Sequence, residues 1–231
     1  MERADGGRTA GIFVTLEGGE GSGKSSQARA LEARLRASGR AVTVTREPGG
    51  TDLGEVVRQV IRKPALARRV FSGLTDSVTW SGVTPLAELF LFEAARAQLV
   101  AEVVRPALAA GAVVLSDRFT DSTLAYQGYG RGLDLELVRT VNGYAAAGVT
   151  PDLTVLLDVP VEVGLARKAG EAGVDAIGRE ALAFHQRVRR GYLALAAAEP
   201  ERWLVVDAAA PPERVTEAIW ARLAPLLAAR A

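Results

Sequence analysis

The chain has 231 residues, 48% of them hydrophobic, a formal net charge of +1 and no cysteine. That length and apolar content suit one domain with a sizeable core, or a core with a small lid. Balanced charge excludes the strongly basic face of a sequence-independent nucleic-acid binder, and the lack of cysteine excludes disulfides, thiolate metal sites and cysteine nucleophiles.

In chain order, residues 1–10 are polar and read as a loose tail rather than a signal peptide. Gly11–Leu16 is a short apolar run ending at a glycine-rich loop and predicts a buried strand. Lys24 to Ser38 has helical spacing in Ala28, Leu31 and Leu35 and stops at Gly39. Ala41–Thr45 predicts a strand, and Thr51 to Arg62 a helix ended by Pro64. Lys63 to Thr84, with Pro64, Gly73 and Gly82, reads as loop or short helix. Pro85 opens a long helix to about Leu108. It is apolar on more than one face, so one side can pack on a sheet and another can meet a second subunit.

Ala112–Ser116 predicts a strand, Leu133 to Ala147 a helix, and Leu153–Val159 another strand. A helix begins at Val161, followed by a glycine-rich charged stretch, Ala169 to Gly178. Glu180 to Ala198 predicts a helix, Trp203–Asp207 the last strand and Pro212 to Ala228 the last helix. Strands alternating with helices imply βαβ units. With the G-x-x-x-x-G-K-[ST] pattern at Gly18–Ser25 after the first strand, the fold expected is a P-loop NTPase-type three-layer α/β/α domain over 11–231, with a central parallel five-stranded sheet and a small lid at about 168–180. No apolar run is long enough to span a bilayer, so neither a membrane nor a nucleic acid is expected as a partner, and a cytoplasmic location is expected.

The strongest motif is Gly18-Gly19-Glu20-Gly21-Ser22-Gly23-Lys24-Ser25, which fits G-x-x-x-x-G-K-[ST]. Glycines let backbone N–H groups turn inward around phosphate oxygens, and a following helix N-terminus favours anions. Gly18, Gly19, Glu20, Gly21, Ser22, Gly23, Lys24, Ser25 and Ser26 are therefore the candidate ATP-binding residues. Lys24 is expected at the β- and γ-phosphates and Ser25 at Mg²⁺. Asp117, closing the Ala112–Ser116 strand, is the candidate second Mg²⁺ residue, and Arg118 beside it a forked phosphate contact. The other readings are a cap or turn for Asp117 and a surface ion pair for Arg118.

Four segments together resemble the thymidylate kinases, nucleoside monophosphate kinases with a P-loop. They are Thr15–Lys24, Arg46-Glu47-Pro48-Gly49-Gly50-Thr51, Leu91–Gln98 and Asp117–Gly128. Pro151–Val159 is similar to the family's late strand. The resemblance implies phosphorylation of dTMP to dTDP with ATP and Mg²⁺, in dTTP synthesis, by a homodimer. It implies that Phe92 stacks on thymine and Arg96 bonds the base edge and helps orient phosphate. It further implies that Arg46 and Arg118 hold the acceptor phosphate and that Tyr126 crowds the sugar 2′ position. Pro48, Thr123 and Gln127 would line the acceptor site, and Glu20 would lie near the 3′ hydroxyl. On the residues alone, Phe92 on a mostly apolar helix reads sooner as core, and Arg96 could be a solvated stripe and Tyr126 and Gln127 turn packing.

Three departures stand out. Gly21 occupies a place where some members carry arginine; members with glycine there are expected to supply a catalytic arginine from the lid instead. There an Asp-Arg pair is usual, but this chain reads Asp175-Ala176. Arg167, Lys168 and Arg179 flank it, and Arg167 is the candidate catalytic cation, alongside Lys24, Glu20 and Arg118. Ala95 stands where an Asp usually precedes the key arginine, which would cost Arg96 an orienting partner. The Lys63–Thr84 connection, with Trp80, is longer than usual. These leave open a different pyrimidine nucleotide such as dUMP, or a weakly catalytic nucleotide-binding relative. A GTPase is excluded for want of an Asn-Lys-x-Asp segment.

Overall fold

The computed structural model describes residues 11–62, 82–169, 176–178 and 180–230. The tail 1–10, most of Lys63–Thr84 with Trp80, and Asp175 and Arg179 lie outside the described residues.

Five strands, β1 (Ile12–Glu17), β2 (Val42–Arg46), β3 (Val113–Asp117), β4 (Leu153–Asp158) and β5 (Trp203–Asp207), form one sheet in the order β2-β3-β1-β4-β5. All four pairings are parallel. The helices are α1 (Lys24–Ala37), α2 (Asp52–Arg62), α3 (Pro85–Leu99), α4 (Arg105–Ala109), α5 (Thr120–Thr123), α6 (Leu135–Ala146), α7 (Val161–Ala169), α8 (Leu182–Ala198) and α9 (Pro212–Ala228).

The strand pleat sorts the core into two layers. Ile12, Val14 and Leu16 face one way, with Val113, Leu115, Val155 and Leu157, onto Leu31 and Leu35 of α1 and Ile219 and Leu223 of α9. Phe13 and Val114 face the other way, onto Leu99, Val104, Leu108 and Phe119. Leu156 and Trp203 continue that second layer under Phe184, Val188 and Leu195 of α8. Each buried side chain of this size contributes about 1.5–3 kcal/mol, so the two layers fix the sheet from both faces. The three-layer α/β/α expectation holds, with strand ends displaced by one residue.

Register positions the site. Leu16 of β1 and Arg46 of β2 both pair with Asp117 of β3. The carboxyl ends of the three strands therefore open onto one crevice, where ligands bind in open α/β sheets.

Two π-helical runs depart from the expected pattern. The long helix passes through Val100–Val104 in π form before α4. Pro106 sits just beyond, lacking an N–H and crowding the carbonyl four residues back, and widening the preceding turn relieves that conflict. Leu124–Gly130 is the second π run, continuing α5 in a stretch to which the sequence reading assigns no element. Its residues pack on α8, and it carries Tyr126 and Gln127 to the crevice.

Candidate active site

The loop from Gly18 to Gly23 joins β1 to α1, whose N-cap is Gly23 with no side-chain cap and no acid in the first turn. The first N–H groups of α1 are thus left for an anion, as phosphate binding requires. Residues Glu20 to Ser26 line a cleft of about 430 Å³, which also takes in Arg46, Pro48, Phe92, Arg96, Asp117, Arg118, Thr123, Tyr126 and Gln127. The structure brings these predicted residues together from four segments spread over more than 100 residues of sequence. Gly18 and Gly19 are not on its wall. Their carbonyls instead accept from Lys24 Nζ at 3.0 and 2.8 Å, beside Ser22 Oγ at 3.1 Å. Burial, reinforced by the charge of Arg118, brings the Lys24 ammonium down to about 8.

Ser25 Oγ donates to Asp117 Oδ2 at 2.8 Å. A hydroxyl beside a carboxylate at a P-loop is a hard oxygen pair that suits Mg²⁺, which takes few protein ligands and completes its shell with phosphate and water. The donor set fits that ion.

Arg118 is the hub of the hydrogen bonds behind the loop. Its φ of 79° is left-handed, a strained conformation for a residue with a Cβ. Nη1 donates to Gly18 O, Ser122 Oγ and Tyr192 OH at 3.1, 3.2 and 3.1 Å, and Nη2 to Glu20 Oε1 and Tyr126 OH, both at 3.0 Å. Burial alone would raise the Glu20 carboxyl, but Arg118, Lys24 and Lys168 outweigh it and hold it at about 2. Glu20 is therefore an anion that keeps the guanidinium facing the cleft.

Below Arg118 lies Glu17, wholly buried, accepting from Phe119 N at 2.8 Å, Ser122 Oγ at 2.5 Å and Tyr192 OH at 2.9 Å. Burial and the neighbouring Asp121 push its carboxyl up to about 7. Sequence reasoning missed Glu17, Ser122 and Tyr192 as supports. Glu17 left one signal, an acid closing an otherwise apolar strand; Tyr192 left none.

Arg96 is 1% exposed. Nε bonds the Glu47 carboxylate at 2.9 Å, Nη1 bonds Glu93 and Asn142 at 2.6 Å each, and Nη2 bonds Glu47 at 2.6 Å and Thr123 Oγ1 at 2.8 Å. Its five N–H groups are all directed at protein acceptors. The solvated-stripe alternative is overturned, and so is the loss of an orienting partner: Glu47 and Glu93 do what the residue at Ala95 was expected to do. Two of these acceptors, Asn142 Oδ1 and Thr123 Oγ1, are neutral, and the others are carboxylates. Arg46 pairs with Glu55 at 2.9 Å, and Arg58, not foreseen, lines the cleft with Nη1 on Pro48 O at 3.0 Å.

Comparison with known proteins decides what this arrangement is. The family model described as Thymidylate kinase matches residues 16–219. The chain is 54% identical to the thymidylate kinase of Solidesulfovibrio magneticus, over 94% of this chain and 100% of that one. The chain belongs to the thymidylate kinase family. It is also 51% identical to the Deinococcus radiodurans thymidylate kinase, over 91% of this chain and 95% of that one. The crystal structure of thymidylate kinase from Ehrlichia chaffeensis superimposes with a TM-score of 0.64 at 33% identity, covering 85% of this chain and 92% of that one.

Within this thymidylate kinase frame, the cation expected from α7 does not reach the cleft. Arg167 turns away from the cleft and donates to Ala208 O at 2.9 Å, in the turn after β5. Its neighbour Lys168 lines the cleft, because one residue of helix rotates the side chain through about 100°. Of these two α7 cations, Lys168 and not Arg167 lines the cleft.

The glycine at position 21 has a steric cause. A Cβ there would lie 2.0 Å from Gly164 O, and a Cβ on Gly164 would lie 2.3 Å from Glu20 O. Loop and α7 touch backbone to backbone, so an arginine at position 21 requires α7 to move. Gly164→Ala is expected to weaken ATP binding by about tenfold, the scale of a 1–3 kcal/mol overpacking strain. Calorimetric titration checks it, and an unchanged Kd would show that α7 yields freely.

Proposed function

We propose that this chain transfers the γ-phosphoryl group of ATP to the 5′-phosphate of dTMP, giving dTDP and ADP, as a cytoplasmic homodimer serving dTTP synthesis. The observation carrying the reading is one cleft lined both by the P-loop and by Phe92, Gln127 and Arg118. The acceptor phosphate oxygen attacks the γ-phosphorus, the bond to the β-bridging oxygen breaks, and ADP leaves with its electron pair. Lys24 and Lys168 meet the charge on the donor phosphates, while Arg118, set by Glu20, fixes the acceptor phosphate in line. Ser25 and Asp117 would hold Mg²⁺, which when bound draws charge from the β- and γ-phosphates. The acceptor is already an anion, so no strong general base is required. Tyr126, tied to Glu20 and Arg118, would crowd a 2′ hydroxyl and so favour deoxyribose.

The dimer reading is supported by apolar side chains left in water on adjacent helices: Val56 of α2, Phe90 of α3 and Tyr144 of α6 are 60%, 52% and 81% exposed. Among the described residues no helix is long and apolar enough to cross a membrane.

The test follows ADP formation with dTMP, dUMP, dCMP, dGMP and UMP in turn. Turnover led by dTMP sustains the reading. Another leading acceptor would move the substrate, and nucleotide binding without ADP would reduce the protein to a binder.

Lys24 adds a pH signature. Below about 8 its ammonium is charged; above, it is neutral and a poorer phosphate ligand. Bound phosphates favour the charged form, so ATP binding at about pH 9 should take up a proton and be weaker than at about pH 7. Calorimetry in two buffers of different ionisation enthalpy measures that uptake, and none at the higher pH would refute it.

A further inference from the structure

The acceptor pocket contains an amide whose direction is fixed from behind. Gln127 is 2% exposed and lines the cleft. Its Nε2 donates to Glu88 Oε1 at 2.8 Å. Glu88, 6% exposed on α3, is held in turn by Arg131, with Nε on Oε1 at 3.2 Å and Nη2 on Oε2 at 3.1 Å. Arg131 is itself fixed, by Glu180 Oε1 at 2.5 Å and by the Phe184 ring 4.8 Å beneath its guanidinium.

This chain of contacts has one polarity. A guanidinium only donates and a carboxylate only accepts, so the partner of Glu88 on its far side must present a donor. Turning the Gln127 amide over would set its carbonyl oxygen against the Glu88 carboxylate at the separation Nε2 now occupies. Two acceptors would then face each other in a buried place, with a donor left stranded. The amide therefore offers the cleft its carbonyl Oε1 and its second N–H. Thymine and uracil carry the complement, an N3–H beside a C4 carbonyl; cytosine carries the reverse, a bare N3 beside a C4 amine.

We propose that Glu88 is a positioning residue for base recognition: by holding the Nε2 end of Gln127 it fixes the amide so that the cleft accepts a pyrimidine with an N3–H and a C4 carbonyl and rejects one with the opposite pattern. The inference rests on the dTMP reading. It assigns Gln127 a direction, whereas the sequence placed Gln127 in the pocket without one and gave no role to Glu88 or Arg131. It does not distinguish thymine from uracil, which share this edge.

Glu88→Gln keeps the size of the side chain but lets it donate or accept, so the lock opens. The ratio of kcat/KM for dTMP to that for dCMP is expected to fall by about tenfold, the scale of one hydrogen bond to a charged partner. Glu88→Asp, which keeps the acceptor-only carboxylate, should retain the ratio even if both substrates slow. Should Glu88→Gln fail to fold, Glu88→Gln/Arg131→Gln leaves no unpaired buried charge and gives the same reading. Equal losses for both nucleotides, with the ratio unchanged in the Gln variants, overturn the inference while leaving the kinase reading intact. A wild-type protein that does not turn over dTMP overturns both.

Discussion

Replacing Lys24 by alanine is expected to lower kcat about 10³-fold, close to 4 kcal/mol of transition-state stabilisation, because the lost ammonium is a preorganised charge in a water-poor cleft. Its hydrogen bonds explain why the fold should survive. Lys24 Nζ bonds to Gly18 O, Gly19 O and Ser22 Oγ, all within the loop itself, so its removal loosens the loop and leaves the sheet alone. Thermal melting should therefore scarcely move while ADP formation collapses. The split between constants is the informative part. A variant with wild-type kcat and only a raised KM would show that Lys24 holds ATP equally in ground and transition states, and the catalytic role assigned here would fall. Lys168 cannot replace it, since it reaches the cleft from α7 rather than from the loop.

The parts of this site carried by local chemistry were legible in the sequence. The Gly18–Ser25 pattern demands a strand before it and a helix after it, and β1 and α1 supply both. Asp117 and Arg118 follow from a strand end, and parallel register brings them to the loop. What stayed hidden depends on which face of a helix turns inward. Arg167 and Lys168 differ by one position, and their sequence neighbourhood cannot say which points at Ala208 and which at the cleft. Arg96 read as a solvated stripe or a base contact, because its partners Glu47 and Asn142 lie 49 and 46 residues away. The π run Leu124–Gly130 had no sequence signature either. It is imposed by packing on α8, where Gly130 lies so close that a Cβ would stand 2.7 Å from the Phe184 ring. Tyr126 and Gln127 owe their direction to that run, so the resemblance placed them in the pocket but the fold decides what they present to it.

Arg96→Met should be the most destabilising substitution near the cleft. Arg96 is 1% exposed, and the Glu47 and Glu93 carboxylates it serves are each 6% exposed. Methionine fills much of the volume but leaves two buried acids facing each other without a counter-charge. Breaking such a pair by removing one partner costs about 3–5 kcal/mol. For a chain of this size that corresponds to a fall in Tm of roughly 10 °C. The pH dependence separates this cause from lost packing. Burial already raises the Glu47 carboxyl, with Arg96 pulling it back down. Without Arg96 its folded-state value rises further above the unfolded one. A carboxyl raised on folding takes up protons as the chain folds, so stability is kept at low pH and lost as pH climbs through the folded value. The Tm deficit of Arg96→Met should therefore shrink in acid and grow toward neutrality. Adding Glu47→Gln should recover part of the deficit at neutral pH, because a neutral amide needs no counter-charge. A deficit that is the same at every pH, and is not reduced by Glu47→Gln, would assign the loss to packing and remove the ion network as the reason Arg96 is buried.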